Sequence, residues 1–204
     1  EDAHRPLLKM SAITSLIAGV DEVGKGSLFG PVFAGAVILS NASELKLLSK
    51  GLKDSKKLNS RQRNNLVPLI KEYSISWSLG QASAREIDSI GIRKATETAM
   101  IRALDKFSSK PDLILVDGIL PICLWPGKQQ TQVRGESHFP SIAAASVLAK
   151  EARDELIMRL ANKYPLYGLE KNKGYGTELH RENLIKLGSS KLHRKSFLSK
   201  LKTN

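Results

Sequence analysis

Twice in this chain a short apolar run stops on a carboxylate: Leu16 to Val20 leads into Asp21 and Glu22, and Leu113 to Val116 leads into Asp117 and Gly118. Runs of this kind mark strands buried on both faces, as in a sheet covered by helices. An acid at the exit of such a strand stands at the carboxyl edge of the sheet, where open α/β folds bind their ligands. A weaker strand over Gln130 to Arg134 ends in Gly135 and Glu136. If these strands, the first, fourth and fifth of the chain, run parallel, four acids converge on one edge of an α/β domain.

The remaining segments supply a frame for that edge. Pro31 to Leu39 reads as a second strand, joined to the first as a hairpin through Gly24, Gly26 and Gly30. Ser74 to Gln81 alternates Ile75, Trp77 and Leu79 with Ser74, Ser76 and Ser78, which predicts a third strand with its serine face wet. Residues 41 to 60 read as a polar loop with short helical pieces. Asn59 or Ser60 caps a helix towards Tyr73 that Pro68 is expected to interrupt. Ser83 to Phe107 carries a helical stripe broken near Gly91, which predicts two helices. Behind Pro140, Ser141 to Ala161 predicts a long helix with Ser141 as N-cap. Its residues Ala143, Ala144, Ala145 and Ser146 are small enough for close approach to a sheet.

Composition decides the partner class. Thirty-two Lys and Arg against twenty Asp and Glu give a formal charge of +12 on 204 residues, which favours a polyanion. Residues 171–204 hold nine of those cations and two Glu, a net +7. The length suits one domain, and no apolar run reaches the roughly 18 residues of a membrane span. The charged start of the chain does not read as a secretory signal, and Cys123 alone forms no internal disulfide, so a reducing cytoplasm is expected.

Four acids crowded on a basic protein repel one another unless cations neutralise them, and hard divalent ions with oxygen ligands do so. Two such ions are the known device for in-line phosphodiester cleavage. One difficulty is parity: neighbouring residues of a regular strand face opposite ways, so for Asp21 and Glu22 to share a site the strand has to end or bulge there. No zinc-ligand spacing, phosphate-binding P-loop or Gly-x-Ser-x-Gly elbow is present. A nucleic-acid-binding protein without catalysis explains the charge but gives no reason for the acids. A transposase- or resolvase-like nuclease shares acids and metals, and substrate choice separates it.

The segment AGVDEVGKGSLFGPVFAGAVIL at residues 18–39 resembles the opening motif of the type 2 ribonucleases H, the ribonuclease HII family. KDSKKLNSRQR at 53–63, EIDSIGIRKATETAMIRAL at 86–104, LILVDG at 113–118, SIAAASVLAKEARD at 141–154 and NKGYGTELHRENLIKLGSSKLHRKSF at 172–197 follow in family order. The resemblance implies a ribonuclease H-like five-stranded mixed sheet flanked by helices, with a C-terminal helical extension. It divides the chain into an N-terminal extension over 1–15, expected to be flexible, a catalytic core over 16–162 and a basic helical part over 163–204. It further implies an endonuclease, expected to be monomeric, that hydrolyses the RNA strand of RNA/DNA hybrids and incises DNA at embedded ribonucleotides. The ends left are 5′-phosphate and 3′-hydroxyl, with Mg²⁺ or Mn²⁺ as cofactor.

Residue by residue, the catalytic and metal-binding acids fall on Asp21, Glu22 and Asp117, and the fourth on Glu136, where the family commonly has Asp. The Gly-x-Gly loop that reads the ribose 2′-OH falls on Gly24, Lys25 and Gly26, Lys25 replacing the Arg usual in ribonuclease HII. The junction-stacking tyrosine falls on Tyr175. Lys56, Lys57, Ser146, Lys150, Arg194 and Lys195 are expected to hold phosphates.

Overall fold

The computed structural model describes residues 15–201, so the expected N-terminal extension lies outside the described residues except for its last position. Five strands form one sheet: β1 (Ile17–Val23), β2 (Val32–Ile38), β3 (Ser76–Ala82), β4 (Leu113–Asp117) and β5 (Gln129–Gln132), in the order β3-β2-β1-β4-β5. Strand β2 runs antiparallel to both its neighbours, β1 and β3, whereas β4 runs parallel to both β1 and β5. This is the mixed sheet expected, with the exits of β1, β4 and β5 at one edge. Strand β2, VFAGAVI, is buried along its whole length, as its lack of alternation requires.

Helices α1 (Asn41–Ser49), α2 (Ser60–Tyr73), α3 (Ala84–Ile90) and α4 (Ile92–Leu104) precede β4. They are followed by a one-turn helix α5 (Gly135–His138) and the long α6 (Pro140–Ala161). The sheet lies between α6 on one face and α4 on the other, and both approach closely. A Cβ on Gly35 of β2 would sit 2.3 Å from the Ala145 carbonyl oxygen, and one on Gly80 of β3 would sit 2.1 Å from that of Ala99. Glycine at these positions is what lets backbone meet backbone.

That closeness inverts β3. Its serine face is the buried one: Ser78 is packed under α4 and donates to the Ala103 carbonyl at 2.5 Å, while Trp77 and Ile75 are exposed. A large side chain on the α4 face would hold the helix away, so the small serine faces inward and the expectation of a wet serine face is reversed. Two helix expectations also change. Helix α2 runs unbroken through Pro68, whose face is exposed, because the Asn59–Gln62 capping box starts it and the buried Leu66 and Ile70 hold it. Ser141 caps nothing; it is buried inside the first turn of α6, and Phe139 occupies the N-cap position. Within residues 41–60, expected as a polar loop with short helical pieces, 41–49 form α1 because Ser40 accepts from the Ser43 N–H and Leu47 is buried.

Helices α7 (Leu169–Asn172), α8 (Glu178–Leu187) and α9 (Lys195–Leu198) form the C-terminal extension. Leu169, Leu184 and Tyr167 from this part share a core with Leu28, Phe29 and Ile157. Thus the polypeptide following β1 is gripped by the end of the chain.

Candidate metal centre and substrate cleft

Parallel pairing of Val20 with Val116 brings the next residues, Asp21 and Asp117, to the sheet edge together. Asp117 Oδ1 accepts from the Gly135 N–H at 2.7 Å, which ties the start of α5 to β4. Strand β5 ends at Gln132, and Arg134 turns the chain with φ of 53°. Glu136 therefore enters from a helical turn and not from a strand exit. Oxygen atoms of Asp21, Asp117 and Glu136 lie within 4.8 Å of one another.

Glu22 is not in that group, and the parity argument explains it. Strand β1 neither ends nor bulges at the acid pair; its register with β2 continues through Val23 and Phe33. Asp21 points to the α6 face and Glu22 to the α4 face. Glu22 still borders the cleft described below, and it also lines a second hollow with Thr96 and Met100 of α4.

Electrostatics mark the edge as short of positive charge. Burial pushes the Asp21 carboxyl well above the usual carboxylate range, and Glu22, Glu136 and Asp117 push in the same direction. Burial likewise raises Glu22, although Lys25 opposes it, and raises Asp117. Lys56 Nζ is 3.4 Å from Glu136 Oε1, and that attraction raises the lysine pKa. Glu136 Oε2 accepts from the Ser55 N–H at 3.1 Å and the Ser55 hydroxyl at 2.9 Å. The Ser55 proton being committed there, Ser146 donates to Ser55 Oγ at 2.7 Å. Ser146, expected at a phosphate, thus steadies Glu136 through Ser55. A buried set of hard oxygen donors with excess negative charge fits divalent cations such as Mg²⁺ or Mn²⁺.

A cleft of about 390 Å³ opens over these acids. Gly24, Lys25, Gly26, Lys56, Ser146, Lys150 and Tyr175 line it, as does Arg63; Lys57 is exposed and does not. Gly24 has φ of 85°, and a Cβ there would lie 2.1 Å from Arg153 Nε, so the position requires glycine on both counts. The Arg153 guanidinium is buried and donates to the carbonyls of Pro31, Lys173 and Phe29 at 3.0, 2.9 and 2.9 Å. Its carbon lies 5.6 Å from the centre of the Tyr175 ring.

Arg194, expected at a phosphate, is fully buried and donates to the carbonyls of Gly30, Lys25 and Gly24 at 2.9, 3.0 and 2.7 Å. It shapes the loop from behind and is not free to meet a ligand. The Lys195 N–H is bonded to Asp88, and its side chain is not among the groups lining the cleft. Ser55, Arg63 and Arg153 were missed in the sequence. Arg153 had a visible signal: it stands between Ala149 and Ile157 at four-residue spacing, on the buried stripe of α6.

The family described as Ribonuclease HII matches residues 18–200. The chain is similar to the ribonuclease HII of Prochlorococcus marinus (strain NATL1A), with 78% identity over 195 residues, 96% of this chain and 100% of that protein. Among solved structures it is similar to ribonuclease H2 from Pyrococcus horikoshii OT3, at a TM-score of 0.76 and 23% identity, covering 93% of this chain and 100% of the other. A PCNA:RNase HII complex from Archaeoglobus fulgidus is similar at a TM-score of 0.71 and 27% identity, covering 88% and 94%. The five-stranded architecture is thus that of the ribonuclease H fold. No helix among the described residues is long and apolar enough to cross a membrane.

Proposed function

The chain belongs to the ribonuclease HII family, and on that premise we propose that it incises DNA on the 5′ side of an embedded ribonucleotide as well as cutting the RNA strand of hybrids. The work is done with two divalent cations, Mg²⁺ or Mn²⁺, and leaves 5′-phosphate and 3′-hydroxyl ends. Membership itself makes the protein a metal-dependent endoribonuclease of the ribonuclease H type acting on RNA/DNA hybrids. The observation that carries the finer reading is the meeting of Asp21, Asp117 and Glu136, from three different elements, at the floor of a cleft walled by the Gly24–Gly26 loop and Tyr175.

Asp21, Asp117 and Glu136 would hold the cations, with Glu22 reaching in from the rim of the cleft. When bound, such cations supply Lewis acidity to the phosphodiester and to the water that attacks it. The chain's own groups do the rest. Ser55 and Lys56 keep Glu136 turned towards the acids. Gly26 is exposed with no neighbour within 4 Å of where a Cβ would be, which leaves backbone free to approach a 2′-OH, the group that separates RNA from DNA. The half-buried Tyr175 ring offers a flat surface to the next, deoxy, sugar. A loop and a ring on one cleft support recognition of a junction and not only of a run of RNA.

The test is an incision assay on three defined duplexes: one with a single embedded ribonucleotide, a long RNA/DNA hybrid and all-DNA. The first is expected to be cut 5′ of the ribonucleotide, the second along its RNA and the third not at all, each only with divalent metal. Tyr175→Ala should lower single-ribonucleotide incision more than hybrid cleavage, since stacking contributes roughly 1–3 kcal/mol per base and counts most where other 2′-OH contacts are absent. An uncut single-ribonucleotide duplex would end the junction reading, and cleavage of all-DNA would end the 2′-OH reading.

A further inference from the structure

Behind the cleft lie two buried histidines that the reaction does not use. His180 and His193 are 0% and 1% exposed, with their Nε2 atoms 2.9 Å apart. The outer nitrogens fix the protons. His180 Nδ1 lies 2.9 Å from the Tyr175 carbonyl, which can only accept, so Nδ1 carries the hydrogen and Nε2 is a lone pair. His193 Nδ1 lies 2.9 Å from the Ser190 N–H, which can only donate, so its Nε2 carries the hydrogen given to His180. A one-way chain of hydrogen bonds results, from Ser190 through both neutral rings to the backbone of Tyr175.

Each of the two rings is tied to a wall of the cleft. The Tyr175 carbonyl belongs to the residue whose ring lines it. His193 forms a β-bridge with Phe29 and precedes Arg194, which grips the carbonyls of Gly24 and Lys25. The Leu28 N–H, bonded to the Gly174 carbonyl at 2.8 Å, runs alongside as a second tie.

We propose that His180 and His193 are positioning residues that set the separation between the Gly24–Gly26 loop and Tyr175, and so govern preference for a lone ribonucleotide over a continuous hybrid. Neither ring touches substrate. The proposal rests on the reading that loop and tyrosine recognise the junction together. On a continuous hybrid many registers offer a 2′-OH, and a small displacement of one wall is tolerated. A lone ribonucleotide offers one register, in which loop and ring meet adjacent sugars or fail to. Ordinary core packing is the competing role, since the His193 ring makes edge contacts with Phe29 and Tyr167 at centroid distances of 5.0 and 4.6 Å. His193→Phe keeps those contacts and removes the hydrogen bonds.

Steady-state constants for the full chain with Mg²⁺ or Mn²⁺ decide between them, measured on the single-ribonucleotide duplex and on a long hybrid. For His193→Phe, KM on the single-ribonucleotide duplex is expected to rise about tenfold, the scale of one net hydrogen bond, with kcat on the hybrid within about twofold. An unchanged ratio between the two substrates, or equal losses on both in a folded variant, overturns the proposal. If His193→Phe does not fold, His180→Asn carries the same comparison under the same criteria; it retains a short donor towards the Tyr175 carbonyl and loses the link to His193. Wild-type protein that leaves the lone ribonucleotide uncut would strike the functional reading instead of this one.

Discussion

Two groups of like charges are buried within one loop of each other, and the protein treats them in opposite ways. At the sheet edge Asp21, Asp117 and Glu136 crowd together, and Lys56, mostly exposed, is the cation paired with them. Behind Gly24, Arg153 and Arg194 are also neighbours, and burial followed by the proximity of Arg153 lowers Arg194 to about 9. The arginines are nonetheless satisfied from within: six carbonyls accept from them, and neither guanidinium leaves a buried nitrogen unpartnered. Backbone dipoles close the basic group into a rigid support. The acidic group is left open to a cleft, where only something from outside can balance it.

The largest effects should come from discharging the acidic side. Asp21→Asn and Asp117→Asn are each expected to lower metal-dependent turnover by about three orders of magnitude or more, with the fold and duplex binding retained. Stability should move the other way. Because the folded state raises the Asp21 pKa, its favourable contribution is complete below the ordinary carboxylate value and is lost as pH rises through the raised one. At pH 7 without metal, Asp21→Asn should therefore melt about 2–4 °C above the wild type and lose the rise in Tm that Mn²⁺ gives it. Near-normal cleavage, or a lower metal-free Tm, would show that the acids are not held in electrostatic tension.

The basic side should respond as structure, not chemistry. Arg194→Leu strands the carbonyls of Gly24, Lys25 and Gly30 without donors, and a loss of about 3 kcal/mol or more in unfolding free energy is expected, at roughly 1–3 kcal/mol for each buried acceptor left unpaired. Denaturant unfolding measures it, and a change below about 1 kcal/mol would return Arg194 to the surface cations.

These two regions differed as much in how far the sequence revealed them. Asp21 and Asp117 were legible because each follows a run of apolar residues, and the strand period fixes where the run must end. The same period requires a strand end or bulge for Asp21 and Glu22 to share a site; that expected break is absent, because the strand stays regular through Val23 and sends the two acids to opposite faces. Burial of Ser78 beneath α4 was not legible, since it depends on Gly80 admitting a helix that lies elsewhere in the chain. Arg194 reads in the sequence as a phosphate contact in a basic tail, because charge counts along a segment contain no information about carbonyls some 170 positions earlier. Local pattern gave the edge, and only tertiary contact gave the clamp.

A smaller effect separates the histidine pair from both regions by pH. Burial first, and then His180, lowers His193 to about 4, and burial lowers His180. A depressed histidine stabilises the fold above its unfolded pKa of about 6.5, and that contribution is lost as pH falls towards 4. Unfolding free energy should thus decline between about pH 6.5 and 4, by up to roughly 3 kcal/mol. His193→Phe should flatten that decline, which urea titrations at several pH values would measure. A slope unaltered by His193→Phe would assign the acid sensitivity to other groups.

The smallest effect is expected where the acidic side can be retuned without being broken. Glu136 reaches the other acids from a helical turn, and the same carboxylate is anchored by both donors of Ser55 and by Lys56. Glu136→Asp installs the residue that the motif resemblance leads one to expect here but shortens the arm by one methylene. The carboxylate then keeps either its approach to Asp21 and Asp117 or its full set of bonds to Ser55, and an approach shared with two other acids is the one a cation enforces. Turnover within about tenfold of wild type, reached at a higher metal concentration, is therefore expected, whereas Glu136→Ala removes the oxygens and should lose far more. A metal titration of rate for both variants measures the difference. If Glu136→Ala titrated like the wild type, the third oxygen at this edge would be dispensable, and the open acidic group would reduce to Asp21, Asp117 and the outlying Glu22.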